Sequence, residues 1–209
     1  MKLCLLFLII LPILSCGNSS SDSEEKAKGF QTATYGILFF NKAYFAKCQQ
    51  KTIEGQNVYI TSTLKLVAPK PDVGRNSSMT VETVLALDSS CKSGIIQTHE
   101  SGQYDFEQEA TEIHLKDSDA WVKPLSQELA NEYNKSKLCG KSNWKQGEIN
   151  YVSNTNCYHS DNLAIFFVKS LDKNDKKIEV TSCSDNNPKS SDCYSLLYEE
   201  VSTESTKDN

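Results

Sequence analysis

Basic charge is what this chain lacks most visibly. Its 209 residues carry 22 Lys and Arg against 27 Asp and Glu, for a formal net charge of -5. A protein that grips nucleic acid presents a basic face to the phosphates, so the acidic balance argues against nucleic acid as a partner. The chain also lacks an apolar run of the roughly 20 residues that a membrane-spanning helix needs; its longest covers the twelve residues from Leu3 to Leu14. There is no Cys-x-x-Cys, so neither a zinc knuckle nor a thioredoxin-like redox pair has its spacing. No Gly-x-Ser-x-Gly elbow exposes a nucleophilic serine. The three histidines, His99, His114 and His159, show no metal-ligand spacing, and His114 between Glu112 and Lys116 reads as a solvated residue on the polar face of a strand. Gly140-Lys141-Ser142 has the tail of a phosphate-binding loop, but Lys135 stands where the first glycine belongs. Asp172-x-Asn174 opens like a calcium loop, yet Lys177 replaces its glycine and Cys183 its closing glutamate, which leaves a charged hairpin tip. The expectation is a protein without enzymatic chemistry, with no catalytic residue, no metal and no cofactor.

What the chain does have begins with cysteine. Of eight, six lie in the body, at Cys48, Cys91, Cys139, Cys157, Cys183 and Cys193. An even number at irregular spacing in an exported chain reads as three disulfides. Local pairing suggests Cys139 with Cys157 and Cys183 with Cys193, which leaves Cys48 with Cys91. Export is read from the N-terminus, where Lys2 precedes the apolar run and Ser15 supplies a small residue before Cys16. That is a signal peptide, too short to anchor. Ile13-Leu14-Ser15-Cys16 resembles the lipobox of bacterial lipoproteins. The resemblance implies a diacylglyceryl group on the Cys16 thiol, cleavage before Cys16 and acylation of the new amine, so that the chain is held at a membrane through its N-terminal lipid. It further implies residence in a bacterial cell envelope. Gly17 stands where an Asp would retain an enteric lipoprotein at the inner membrane, so the outer membrane is expected.

Residues 1–15 are thus read as signal peptide and 16–29 as lipidated cysteine plus flexible tether, since Gly17 to Gly29 holds no large apolar residue. A single domain spans 30–201, and 202–209 form a polar, disordered tail. Within the domain the apolar period is two. Val58, Ile60, Leu64 and Leu66 alternate with polar neighbours, as do Met79, Val81, Leu85 and Leu87, then Tyr104 with Phe106, Ile113 with Leu115, Ile149 with Tyr151, and Ile178 with Val180. Leu163 to Val168 is a continuous apolar run, read as a strand covered on both sides. Tyr194 to Val201 closes the series. Residues Gly29 to Cys48 are ambiguous between helix and strand and lean to strand on their Phe and Tyr content. One segment has helical spacing: Ser126 caps a run in which Leu125, Leu129 and Tyr133 share a stripe, with Gly140 as its stop. Many short strands with one helix make the chain all-β and mainly antiparallel.

The order Cys48, Asp88-Ser89-Ser90-Cys91, Ser101-Gly102-Gln103-Tyr104, Lys123-Pro124-Leu125, Asn134, Cys139-Gly140, Trp144, Gly147 and Cys157 resembles small bacterial lipoproteins with lipocalin-like barrels. That implies an up-and-down barrel with one flanking helix and paired cysteines. It also implies a cavity for a small hydrophobic ligand, for which Tyr104, Phe106, Tyr151, Phe166 and Phe167 are the candidate lining residues. The alternative is a filled barrel, serving as a surface-exposed structural or adhesion module.

Overall fold

Side chains of Val58, Ile60, Ser62, Leu64 and Leu66 are buried along Gln56–Val67, while their neighbours face outward. The same two-residue alternation recurs down the chain, because a strand with one wetted face must aim every second side chain at a core. The computed structural model describes residues 42–53, 55–67, 77–107, 112–157, 164–182 and 193–201. The expected signal peptide, Cys16, the tether, Tyr35, Ile37, Phe39, Cys183 and the tail lie outside the described residues.

The strands are β1 (Lys42–Ile53), β2 (Gln56–Val67), β3 (Ser78–Ala86), β4 (Gly94–Glu107), β5 (Glu112–Pro124), β6 (Asn150–Tyr151), β7 (Ala164–Ser170), β8 (Lys177–Ser182) and β9 (Tyr194–Glu200), with one helix, α1 (Gln127–Ser136), after β5. Every pairing is antiparallel. Strands β1 to β5 pair in succession, β5 continues to β7, β8 and β9, and β9 returns to β1. The result is a closed eight-stranded, up-and-down, lipocalin-like barrel, with the two-residue β6 attached to the second half of β5. Bulges between Ala46 and Gln49 and between Ser101 and Gln103 supply the local bending that closure demands. At the seam, β1 and β9 share only Tyr44 with Glu200 and Phe45 with Glu199 in register. Past the bulge the Gln49 side chain takes over, donating from Nε2 to the Leu197 carbonyl at 2.8 Å and accepting from the Leu197 amide at 3.1 Å.

The helix begins as expected. Ser126 Oγ accepts from the Leu129 amide at 3.2 Å, and Leu129, Ala130 and Tyr133 are buried. It ends earlier than the Gly140 stop predicts: Lys137 takes the left-handed conformation at φ 55, and a 3-10 turn, Leu138–Gly140, follows. The chain then folds back on the helix. Asn134 donates from Nδ2 to the Trp144 carbonyl at 2.9 Å and accepts the Trp144 amide at 2.7 Å, and the Trp144 ring meets Tyr133 edge-on at 5.1 Å. The Cys139–Cys157 disulfide, 5.0 Å between Cα atoms, staples this unit, and Cys48–Cys91 joins β1 to the loop after β3 at 5.7 Å. Cys193 is disulfide-bonded as well.

Three expectations about faces are corrected. Ile149 and Tyr151 are exposed, at 49% and 64%, and Val152 is buried in their stead, because β6 is too short to set its own alternation and follows its hydrogen bonds to β5. Leu87 lies beyond the end of β3 and is 53% exposed. The apolar run of β7 is not covered on both sides: Phe166 and Val168 are buried, whereas Ile165 and Phe167 face outward, half-buried.

Candidate functional site

A barrel offers two places for function, its interior and its outer wall. Inside, the alternation carries polar residues as well as apolar ones. Ser62, Thr83 and Thr98 are all buried. The Tyr198 hydroxyl donates to Ser62 Oγ at 2.9 Å, Ser62 Oγ donates to the Glu82 carbonyl at 2.8 Å, and Thr83 Oγ1 lies 3.0 Å from Ser62. Burial pushes the Tyr194 hydroxyl up to about 12; the nearby charge of Glu100 adds to this, and a hydrogen bond with Ser182 pulls against it.

Between these groups lies a void of about 30 Å³ lined by Val81, Thr83, Thr98, His99, Glu100, Phe166, Ser182 and Tyr194. A second of about 20 Å³ adjoins it, reaching Leu64, Met79, Val180, Leu196 and Tyr198. A water needs about 10 to 15 Å³ measured this way, so each void suits one or two waters among hydroxyls. A small-molecule site occupies roughly 300 to 1,000 Å³. This part of the interior is filled by its own side chains.

Of the five expected lining residues, the structure places two inside. Phe166 borders both voids, and Tyr104 is buried, its hydroxyl donating to the Val67 carbonyl at 3.3 Å. Phe167 faces outward, and Tyr151 lies on the outer side of β6. The Phe106 side chain lies outside the described residues.

No protein-family model matches this chain, and no curated protein matches it.

The outer wall holds an arrangement that the sequence did not suggest. Glu82 of β3, His99 of β4, Trp121 of β5 and Tyr151 of β6 are successive cross-strand partners. His99 Nδ1 lies 3.2 Å from Glu82 Oε1, and the imidazole stacks on the Trp121 indole at 5.0 Å with planes 6° apart. A carboxylate, an imidazole and two aromatic rings thus stand in one line on the solvent side. The only hint in sequence is that Trp121 falls on the face opposite to the buried Ala120 and Val122; register alone aligns it with the rest.

His114 requires a correction. It is buried at 7%, not solvated, with Nε2 3.0 Å from Glu112 Oε2, itself 9% exposed. On β7, Ile165 and Phe167 are the cross-strand neighbours of His114 and Glu112.

Proposed function

We propose that this chain is a membrane-anchored lipoprotein of the bacterial cell envelope, acylated at Cys16, whose filled barrel acts as a non-enzymatic interaction module displayed at the end of a tether. The observation that carries this reading is the size of the interior voids among the described residues, about 30 and 20 Å³ against a packed ring of aromatic and aliphatic side chains. A carrier of a small hydrophobic molecule, the other function open to such a barrel, needs a space about tenfold larger and an interior poorer in hydroxyls than one containing Ser62, Thr83 and Thr98. The lipobox-like Ile13-Leu14-Ser15-Cys16 supports the anchor, and the acidic net charge of -5 leaves the lipid, not a basic surface, to hold the membrane.

Native mass spectrometry of the protein purified from its host tests the barrel: the expected mass is that of the acylated chain alone. A small molecule retained through purification, and lost with Phe166→Trp, would restore the carrier reading. Cys16→Ala tests the anchor, with release of the protein from washed membranes as the expected result.

A further inference from the structure

We propose that β6 is a docking edge for a second copy of this chain, the two β6 strands pairing antiparallel about a two-fold axis at Asn150. This deepens the interaction role above by naming the partner, and it rests on the lipid anchor of that reading. β6 stands at the end of the sheet order, with β5 as its one strand neighbour among the described residues. Its inner edge is settled: Val152 donates to the Ala120 carbonyl at 2.9 Å, and two residues earlier Asn150 is the register partner of Val122. Hydrogen-bonded pairs alternate along an antiparallel ladder, so the amides and carbonyls of Ile149 and Tyr151 point the other way, off the sheet. Among the described residues no hydrogen bond engages them. Such an edge is a template for another strand, and Ile149, Asn150 and Tyr151 supply neither the charge nor the proline that would blunt it.

Self-complementarity selects the occupant. In a two-fold pair centred on Asn150, Ile149 of each copy lies opposite Tyr151 of the other. Each of those two pairs exchanges both its N–H and C=O groups, four hydrogen bonds in all. The same register twice lays isoleucine against tyrosine on the solvent face, the β-branched and aromatic combination that stabilises cross-strand pairs. These side chains are 49% and 64% exposed in the single chain. Glu148, ion-paired with Lys145 at 3.1 Å, falls opposite Val152 and not opposite its own copy, so like charges do not meet. Slipping the pair by two residues sets Tyr151 against Gly147, whose amide is committed to the Pro124 carbonyl, or Ile149 against Ser153. An isologous contact closes on itself and stops at two copies. It buries far less than the roughly 1,200 to 2,000 Å² of a stable soluble complex. Two chains tethered in one bilayer meet at a raised effective concentration, which lets so small a contact form.

Position 150 reports the pairing. On the axis, the facing Cα atoms of a non-hydrogen-bonded pair are about 4.5 Å apart, within reach of a disulfide. Asn150→Cys is made in the full chain, and host membranes are run on a non-reducing gel beside Leu197→Cys, at an exposed position of β9. The expected result is a reducible band of twice the mass, mapped by peptide mass to position 150, with no band above wild type for Leu197→Cys. Adding Tyr151→Pro removes one outward N–H per copy and spares the bonds to β5. It should cut the band about tenfold at an unaltered melting temperature. Tyr151→Lys, which sets a charge against Ile149 and leaves the backbone donor in place, should do the same if proline disturbs the fold. Absence of the band in membranes that hold the chain overturns the inference. So does a band that Tyr151→Lys leaves at full strength, or one that Leu197→Cys matches. Failure of the anchor is read separately, as loss of the chain from washed membranes. In that event the same gel on the chain concentrated to about 1 mM, the effective concentration that a short tether gives, decides the pairing by the same outcomes.

Discussion

At Gly94 the side chain is missing because there is no room for one. A Cβ built there would meet Val84 Cγ1 at 2.7 Å and Leu125 Cδ1 at 2.9 Å. Leu125 can swing its terminal methyl aside, but the β-branched Val84 is stiff at χ1. Gly94→Ala should therefore destabilise by about 1 to 3 kcal/mol as an overpacked site, less a partial offset from reduced freedom of the unfolded chain, as measured by urea denaturation. Asp88 offers a pH test. Its carboxylate accepts from the Ser90 hydroxyl and from the amides of Ser93, Ser90 and Lys92, and these bonds lower its pKa from 3.8 to about 2. A carboxyl whose folded pKa is depressed contributes stability above its unfolded pKa and loses it as pH falls through the folded value. The loop holding Cys91 should accordingly keep its order down to about pH 4 and loosen between there and about pH 2. Amide exchange at Ser90 and Ser93 reports this directly.

Among elements, α1 is the one whose limits follow from local chemistry. Its cap is a serine hydroxyl on the Leu129 amide, so Ser126→Ala should cost about 1 kcal/mol and lower the melting temperature without altering the barrel's far-ultraviolet signature. What holds the helix to the barrel is less local. Tyr133, Leu138, Trp144, Val152 and Cys157 are buried together, and the Cys139–Cys157 disulfide closes a sequence separation of 18. Removing it with Cys139→Ala and Cys157→Ala together should cost about 3 kcal/mol in the chain-entropy account, seen as a lower urea midpoint. Asn134, Trp144 and Gly147 could be quoted from sequence as a loose series, yet their meaning is structural: the Asn134 amide clasps the Trp144 backbone, and the Gly147 amide donates to the Pro124 carbonyl at 2.8 Å.

For the molecule as a whole the decisive feature is closure, and it is completed at the seam between β1 and β9. Two register pairs join β1 to β9, and the Gln49 side chain completes the contact by bonding both the amide and the carbonyl of Leu197. Gln49→Ala should cost about 1 kcal/mol, since both lost bonds are solvent-accessible. Its clearer signature is faster amide exchange in β9 than in β2 or β3, because an opened barrel regains the unpaired edge that closure removes.

Strand identity, the capped helix and the Cys139–Cys157 disulfide are legible in the amino acids because each depends on short-range rules. Alternation marks a wall strand wherever one face is wet, a serine before an apolar stripe marks a helix start, and nearby cysteines pair. Even the polar interior leaves a trace, since Ser62 occupies an inward position between Ile60 and Leu64. Faces fail where an element is too short to set its own period, as Tyr151 shows, and alternation does not mark the burial of a polar residue such as His114. Two matters belong to tertiary structure alone. Whether the barrel is hollow depends on the summed volumes of side chains from eight strands, of which Phe166 and Tyr198 are only two. Which residues stand beside Trp121 depends on register, and register is set by bulges and hydrogen bonds between strands that are distant in the chain.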